Sequence, residues 1–282
     1  MVELAFSTNA YTEFTLPQAI DRIADIGYDG VEILADEPHA FLPGFGDDDR
    51  ARLERRLDAA GLDVANVNAN TAVGYYDDAP PSAFFEPSLC TAADDDRRWR
   101  IEYTKDAIDL AQRVDAPAVS VTSGQPLAGN PPEQAREYLR RSLHEILDYA
   151  EPRGIDVGIE FEPELLIECT AEVLDLIDEM GRDGLGVNLD IGHAAVYGED
   201  LAETITQSVD YITGVHLEDI VGGRRGKHYH RIPGEGDLDF EAIFAALDRA
   251  GYDGYATLEL YTYPEEPDRA AEESLAYLTN VR

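Results

Sequence analysis

Lysine is almost missing from this sequence: Lys105 and Lys227 are the only two, and the other basic residues are arginines. Against 22 Lys and Arg stand 58 Asp and Glu, a formal net charge of −36 over 282 residues. Binding a phosphate backbone needs cationic groups that release its counterions, so this charge balance excludes nucleic acid as an expected partner. It excludes an anionic membrane surface on the same ground. Cysteine is scarce too. Cys90 and Cys169 form neither a Cys-x-x-Cys pair nor a disulfide framework, which fits a reducing compartment. The start, Met1-Val2-Glu3-Leu4-Ala5-Phe6, has no basic region, and no apolar run is long enough for a signal peptide or a membrane span. The expectation is a soluble, cytoplasmic protein.

The apolar share, 44%, is ordinary for a globular chain and allows a large core. The acids are spread along the whole sequence, with denser knots at Asp47-Asp48-Asp49 and Asp94-Asp95-Asp96. Dispersed acid with little Lys is the composition of proteins from salt-loving microbes. In molar salt the Debye length shrinks to about 3 Å, and surface self-repulsion is largely screened.

Short apolar runs alternate with amphipathic helical stretches. Strands are expected at Glu3–Ser7, Gly30–Leu34, Asp63–Asn68, Ala118–Thr122, 156–162, 186–190, Ile212–Leu217 and 255–260. Helices are expected from Thr15 as N-cap to Gly27, at 50–60, 97–114 and 133–152, from Thr170 as cap to Gly181, and at 201–209, Phe240–Ala250 and 268–278. A long loop at 70–96, rich in Pro, Ser and aromatics (Tyr75, Tyr76, Phe84, Phe85), reads as an active-site lid. A glycine- and arginine-rich loop spans 222–237. Gly27-Tyr28-Asp29-Gly30 and Gly251-Tyr252-Asp253-Gly254 echo one another ahead of strands that carry a Glu. Eight βα units without a linker or a composition break predict one (β/α)8 TIM barrel over residues 1–282, with its site at the strand C-terminal ends. The alternative is an open doubly wound sheet, although no Gly-rich phosphate loop follows the first strand.

Four successive strands each bring a hard-metal ligand to that end: a Glu in 156–162, then Asp190, His216 and Glu259. Glu160 and Glu162 point to the same side of their strand, so either residue can supply the first ligand. Carboxylates gathered this closely repel and raise one another's pKa unless a cation sits among them. A mixed carboxylate and imidazole set favours one divalent ion, Mn2+, Mg2+, Co2+ or Zn2+.

Ile159-Glu160, Asp190-Ile191-Gly192-His193, Val215-His216-Leu217-Glu218-Asp219, Pro233-Gly234-Glu235-Gly236-Asp237 and Leu258-Glu259 resemble the xylose isomerase-like sugar phosphate isomerase/epimerase superfamily. The resemblance covers nearly the whole chain and implies a metal held by Glu160, Asp190, His216 and Glu259. From the ketose 3-epimerases of that superfamily it also implies that Glu160 and Glu259 are the acid/base pair of an enediolate mechanism. His193 is then expected to contact substrate oxygens. Arg231 is expected to hold a distal hydroxyl, carboxylate or phosphate, and His228, His230 and Glu162 to line the pocket. Two alternatives share the barrel: dehydration of a keto-cyclitol or dehydroshikimate-like compound, and sugar binding without turnover. Endonuclease IV, a three-zinc DNA repair enzyme, belongs to the same superfamily. Its histidines after the third and fourth strands are absent here, where Asn68 and Asn70, and Thr122 and Ser123, stand instead. Many members have Lys at the position of Glu218, a departure that implies a substrate of different charge. Relatives commonly form homodimers or homotetramers.

The salt reading gives a direct expectation. The melting temperature should rise from low to molar KCl as repulsion between surface acids is screened. A melting temperature indifferent to KCl would remove the salt-adaptation claim.

Overall fold

The computed structural model describes residues 2–78, 84–221 and 228–282. Strands β1 (Glu3–Ser7), β2 (Gly30–Leu34), β3 (Asp63–Asn68), β4 (Ala118–Thr122), β5 (Asp156–Glu160), β6 (Leu185–Asp190), β7 (Ile212–Leu217) and β8 (Tyr255–Leu258) pair in parallel and in sequence order. β8 returns to β1, with Leu4 opposite Ala256 and Phe6 opposite Leu258. An open doubly wound sheet has free edges, and this closure overturns that alternative. Between and after the strands lie α1 (Leu16–Ile26), α2 (Asp47–Ala60), α3 (Asp94–Arg113), α4 (Pro132–Ala150), α5 (Thr170–Met180), α6 (Ile191–Tyr197), α7 (Leu201–Ser208), α8 (Phe240–Ala250) and α9 (Pro267–Val281).

β2 and β4 are buried along their whole length, as strands covered by helices on one side and a filled barrel on the other must be. The helices turn one apolar stripe inward. In α1 this stripe is Leu16, Ala19, Ile20 and Ile23, and in α8 it is Phe240, Ile243, Phe244 and Leu247. No described helix is long and apolar enough to cross a membrane.

Several element boundaries differ from the sequence expectation, each for a local reason. α2 and α3 begin three residues earlier than expected, because the knots Asp47–Asp49 and Asp94–Asp96 are their first turns. Acid there faces the positive end of the helix dipole. Thr170 is the first residue of α5 rather than its cap, and Cys169 holds the cap position. The Thr170 N–H and hydroxyl both donate to the Glu199 carboxylate, at 2.9 and 2.8 Å. β5 and β8 are two residues shorter than expected. α6 is an element the periodicity does not suggest. It starts without a loop, because Asp190 ends β6 and also caps the helix, its Oδ1 accepting from the His193 N–H at 2.6 Å. The lid expected at 70–96 is described apart from residues 79–83. It contains one 3-10 turn, Val73–Tyr75, and Tyr75 packs on Trp99 at 4.5 Å between ring centroids. In the glycine- and arginine-rich loop, residues 222–227, Lys227 among them, lie outside the described residues.

Asp219 ties that loop to the barrel. The carboxylate is fully buried just past β7. Its Oδ2 accepts from the N–H groups of Gly234 and Gly236, both at 2.8 Å, and its Oδ1 from Ile220 at 2.9 Å and Leu238 at 3.1 Å. A Cβ at Gly236 would collide with Asp219 Oδ1, which accounts for the glycine. The two sequence motifs around His216 and Gly234 are therefore one structural unit. Replacing Asp219 by Ala strands these donors and should cost about 3 kcal/mol or more in urea unfolding. A loss well under about 1 kcal/mol would show that the loop does not depend on this carboxylate.

Candidate metal centre

Glu160 is the last residue of β5, Asp190 the last of β6, His216 the fifth of β7, and Glu259 follows β8 directly. Parallel pairing sets Asp190 opposite His216. All four are at most 6% exposed, so water does not solvate their charges. One donor atom from each lies within 4.8 Å of the others. His216 Nδ1 is 3.0 Å from Glu160 Oε2, 3.9 Å from Glu259 Oε2 and 4.0 Å from Asp190 Oδ2. Three carboxylates around one imidazole nitrogen form a donor set suited to Mg2+, Mn2+, Co2+ or Zn2+, and Asp190 Oδ2 has no hydrogen-bond donor of its own.

What aims these four side chains is a ring of neighbours whose part the sequence does not reveal. Glu32, in the wholly buried β2, accepts from His216 Nε2 at 2.7 Å. That bond leaves Nδ1 turned toward the three carboxylates. Glu32 is itself held by Asn66 at 2.8 Å and Asn68 at 3.1 Å. Burial opposes its charge, but His216, with hydrogen bonds from Asn66 and Ser7, lowers its pKa below the usual carboxylate value. Asn188 and Asn70 donate to Glu160 Oε2 at 2.6 and 2.9 Å, and Asn9 donates to Glu259 Oε1 at 2.9 Å. Burial also opposes a charge on His216, yet Glu32, Glu160 and Glu259 raise its pKa well above the usual value. A proton on Nδ1 thus occupies the direction in which a metal would be bound. The available signal for Glu32 is the Gly27–Gly30 echo, which precedes a strand carrying this Glu.

The other expected residues fall differently. His193 and His230 line a cavity of about 250 Å³ beside the cluster, and Glu162 does so as well. His193 Nδ1 donates to the Phe161 carbonyl at 3.0 Å and His230 Nδ1 to the Glu259 carbonyl at 2.6 Å. Both rings are therefore fixed with Nε2 as the lone-pair nitrogen when neutral. Burial keeps His230 neutral, its pKa near 3. Burial also pushes the Glu162 carboxyl up to about 7, with His193 opposing and Glu160 and Asp190 adding to it. His228 packs on His193 and His230, with ring centroids 4.9 and 5.6 Å away. The Arg231 side chain is exposed, and its backbone pairs with Asp219; it is not among the residues lining the cavity. Phe84 and Phe85 from the expected lid do line it, with Leu34, Val73 and Tyr261.

Residues 20–281 match the Xylose isomerase-like TIM barrel family, and the chain belongs to that family. It is 27% identical over 276 residues to fructoselysine 3-epimerase of Shigella flexneri, a span of 95% of this chain and 94% of that protein. It is 28% identical over 166 residues to inosose dehydratase of Clostridium perfringens strain 13, here 53% of this chain and 54% of that protein. Among solved structures, the IOLI protein with a bound zinc atom superposes with a TM-score of 0.79 at 18% identity, covering 99% of this chain and 98% of that one. At that identity the likeness speaks for the fold.

The Glu32 contact makes a measurable claim. Glu32→Gln keeps the shape but weakens the acceptor behind His216, and should lower divalent-metal affinity roughly 10- to 100-fold in a calorimetric titration. Unchanged affinity would mean that Glu32 does not tune the histidine.

Proposed function

We propose that the protein is a divalent-metal-dependent epimerase or isomerase of a ketose, with Glu160 and Glu259 as its acid/base pair. One observation carries this reading: of the four clustered donors, only Glu160 and Glu259 line the cavity. Two carboxylates thus face the substrate space, while Asp190 and His216 lie behind them.

A divalent ion held by the four residues would draw charge from a substrate carbonyl and make the proton on the neighbouring carbon more acidic. One glutamate then takes that proton and the other, in its protonated form, returns one to the opposite face. The amides prepare both groups for this exchange. Asn9 engages Glu259 Oε1 and leaves Oε2 toward the cluster, and Asn70 with Asn188 engages Glu160 Oε2. His193, with Nε2 directed away from its Phe161 anchor, is suited to a substrate hydroxyl. The near-full-length similarity to a ketosamine epimerase supports the same reaction class.

A second reading has its own observation. Glu162 lines the cavity with a carboxyl that burial holds at about 7, so near neutral pH it carries a proton for part of the time. A protonated acid beside an enediolate can assist a β-hydroxyl to leave, which is the step that separates a dehydratase from an epimerase. The partial similarity to inosose dehydratase is in line with it.

Proton exchange in D₂O tests both readings. The chain in molar KCl, with Mn2+ or with EDTA, is incubated with ketoses, ketosamines and keto-cyclitols and followed by NMR. Deuterium should enter next to the carbonyl only with metal present, and Glu259→Gln should slow this by about 10²-fold or more. Recovered ketose identifies the epimerase and an unsaturated product the dehydratase. Turnover unchanged in Glu259→Gln would falsify the assigned role.

A further inference from the structure

The cavity has two unlike walls. Glu160 and Glu259, at the ends of β5 and β8, bring the clustered donors to one side of it. In the closed barrel β2 and β3 lie across from β6 and β7, and the segments after β2 and β3 supply the far wall. Leu34, Val73, Phe84 and Phe85 make that wall apolar, and two successive acids, Asp36 and Glu37, are set into it.

The two acids do different things. The buried Asp36 carboxylate is taken up by its own surroundings. Its Oδ2 accepts from the Thr71 hydroxyl and the Val73 N–H, and its Oδ1 from the N–H groups of Gly74 and Glu37 at 3.0 and 2.8 Å. Glu37, by contrast, is exposed where it lines the cavity. Its backbone is fixed. The Asp36 carbonyl accepts from the His39 N–H at 2.8 Å, and the Leu34 carbonyl from the Ala40 N–H at 3.2 Å. Glu37 therefore stands in a closed turn directly after β2. Behind that turn, His39 Nε2 donates to the carbonyls of Tyr11 and Phe14, both at 3.2 Å. The turn needs no ligand to form.

Phe84 and Phe85 meet at 88° with their ring centroids 5.2 Å apart. Aromatic faces and a carboxylate on one wall suit an ammonium group, since the rings attract a cation and the carboxylate accepts its hydrogen bonds. A neutral hydroxyl gains little there, because Leu34, Val73, Phe84 and Phe85 offer its O–H no side-chain partner. A phosphate or carboxylate substituent would meet Asp36 and Glu37 as like charges. We infer that this wall is a subsite for a cationic substituent of the substrate, an ammonium on a short apolar arm, with Glu37 selecting its charge. The inference rests on the reading of the site as that of a ketose epimerase or isomerase. The reacting carbons then lie at Glu160 and Glu259, and the arm crosses the cavity to Glu37.

Calorimetric titration with two matched pairs of ligands tests this. Fructose carrying a 3-aminopropyl ether at C1 or at C6 is compared with the butyl ether at the same carbon, which has a methyl group in place of the ammonium. The full chain is loaded with Mn2+ in molar KCl. At one of the two carbons the aminopropyl ether should bind about 10-fold tighter than its butyl partner. Glu37→Gln should bring the two ethers to equal affinity, and Glu37→Lys should reverse the preference. Equal affinities in both pairs, binding by none of the four ligands, or a preference that survives Glu37→Gln overturns the subsite. A preference that Glu37→Gln removes, alongside no metal-dependent deuterium exchange in any ketose, keeps the subsite and sinks the epimerase reading instead.

Discussion

Repulsion among carboxylates collected at one mouth of the barrel is the constraint on which the rest of the site depends. Water is excluded there, and the effective dielectric is well below that of the solvent, so each like-charge pair is costly. The chain meets this cost mainly with amides. Asn9, Asn66, Asn68, Asn70 and Asn188 all turn Nδ2 toward a glutamate. An amide donates a hydrogen bond without adding charge. An arginine in the same place would pair with the carboxylates and abolish their affinity for a cation. The asparagines hold the glutamates in place and leave their charge available.

Those amides are only as well placed as the backbone that carries them. Asn70 follows β3 in a segment whose carbonyls, from Ala69, Asn70 and Thr71, all accept from the fully buried Arg100 of α3. From the other side, Asp36 accepts from the Thr71 hydroxyl at 2.6 Å and from the N–H groups of Val73 and Gly74 at 2.7 and 3.0 Å. A buried guanidinium and a buried carboxylate thus grip the same stretch. The grip lies between Asn70, which steadies Glu160, and Phe84 and Phe85, which line the cavity. Helix packing is converted here into ligand geometry.

The strands are legible in the sequence because, within a βα alternation, an apolar run of about five residues closed by Gly or Asp fits little besides a buried strand. The clustered site residues are legible for a related reason: an ionisable group at the end of a buried strand is expensive, and three acids and a histidine on four successive strands share one cause. What is not legible depends on contacts between distant segments. Glu32 lies 184 residues from His216 in sequence, and nothing local marks it as that histidine's partner. The asparagines carry no periodicity at all. α6 escapes a sequence pattern because Asp190 serves two elements at once, and a capping residue that also ends a strand leaves no loop between them. The acid triplets are visible as surface charge, whereas two of the barrel helices start on them.

Surface and centre share one sign of charge and solve it by different physics. Outside, acids meet arginines in exposed pairs such as Arg98 with Glu145 and Arg269 with Glu273, at 2.7 and 3.0 Å. Exposed pairs of this kind contribute little to stability, and the remaining acids rely on dissolved ions for screening. Inside, at most 6% exposure keeps mobile salt away from Glu160, Asp190 and Glu259. Molar KCl can relax the exterior but cannot neutralise the barrel mouth. Only groups built into the site can do that: amides, imidazoles, protons and bound divalent ions. A cation bound at the barrel mouth and dissolved salt at the surface would therefore act on separate sets of charges, and neither could replace the other.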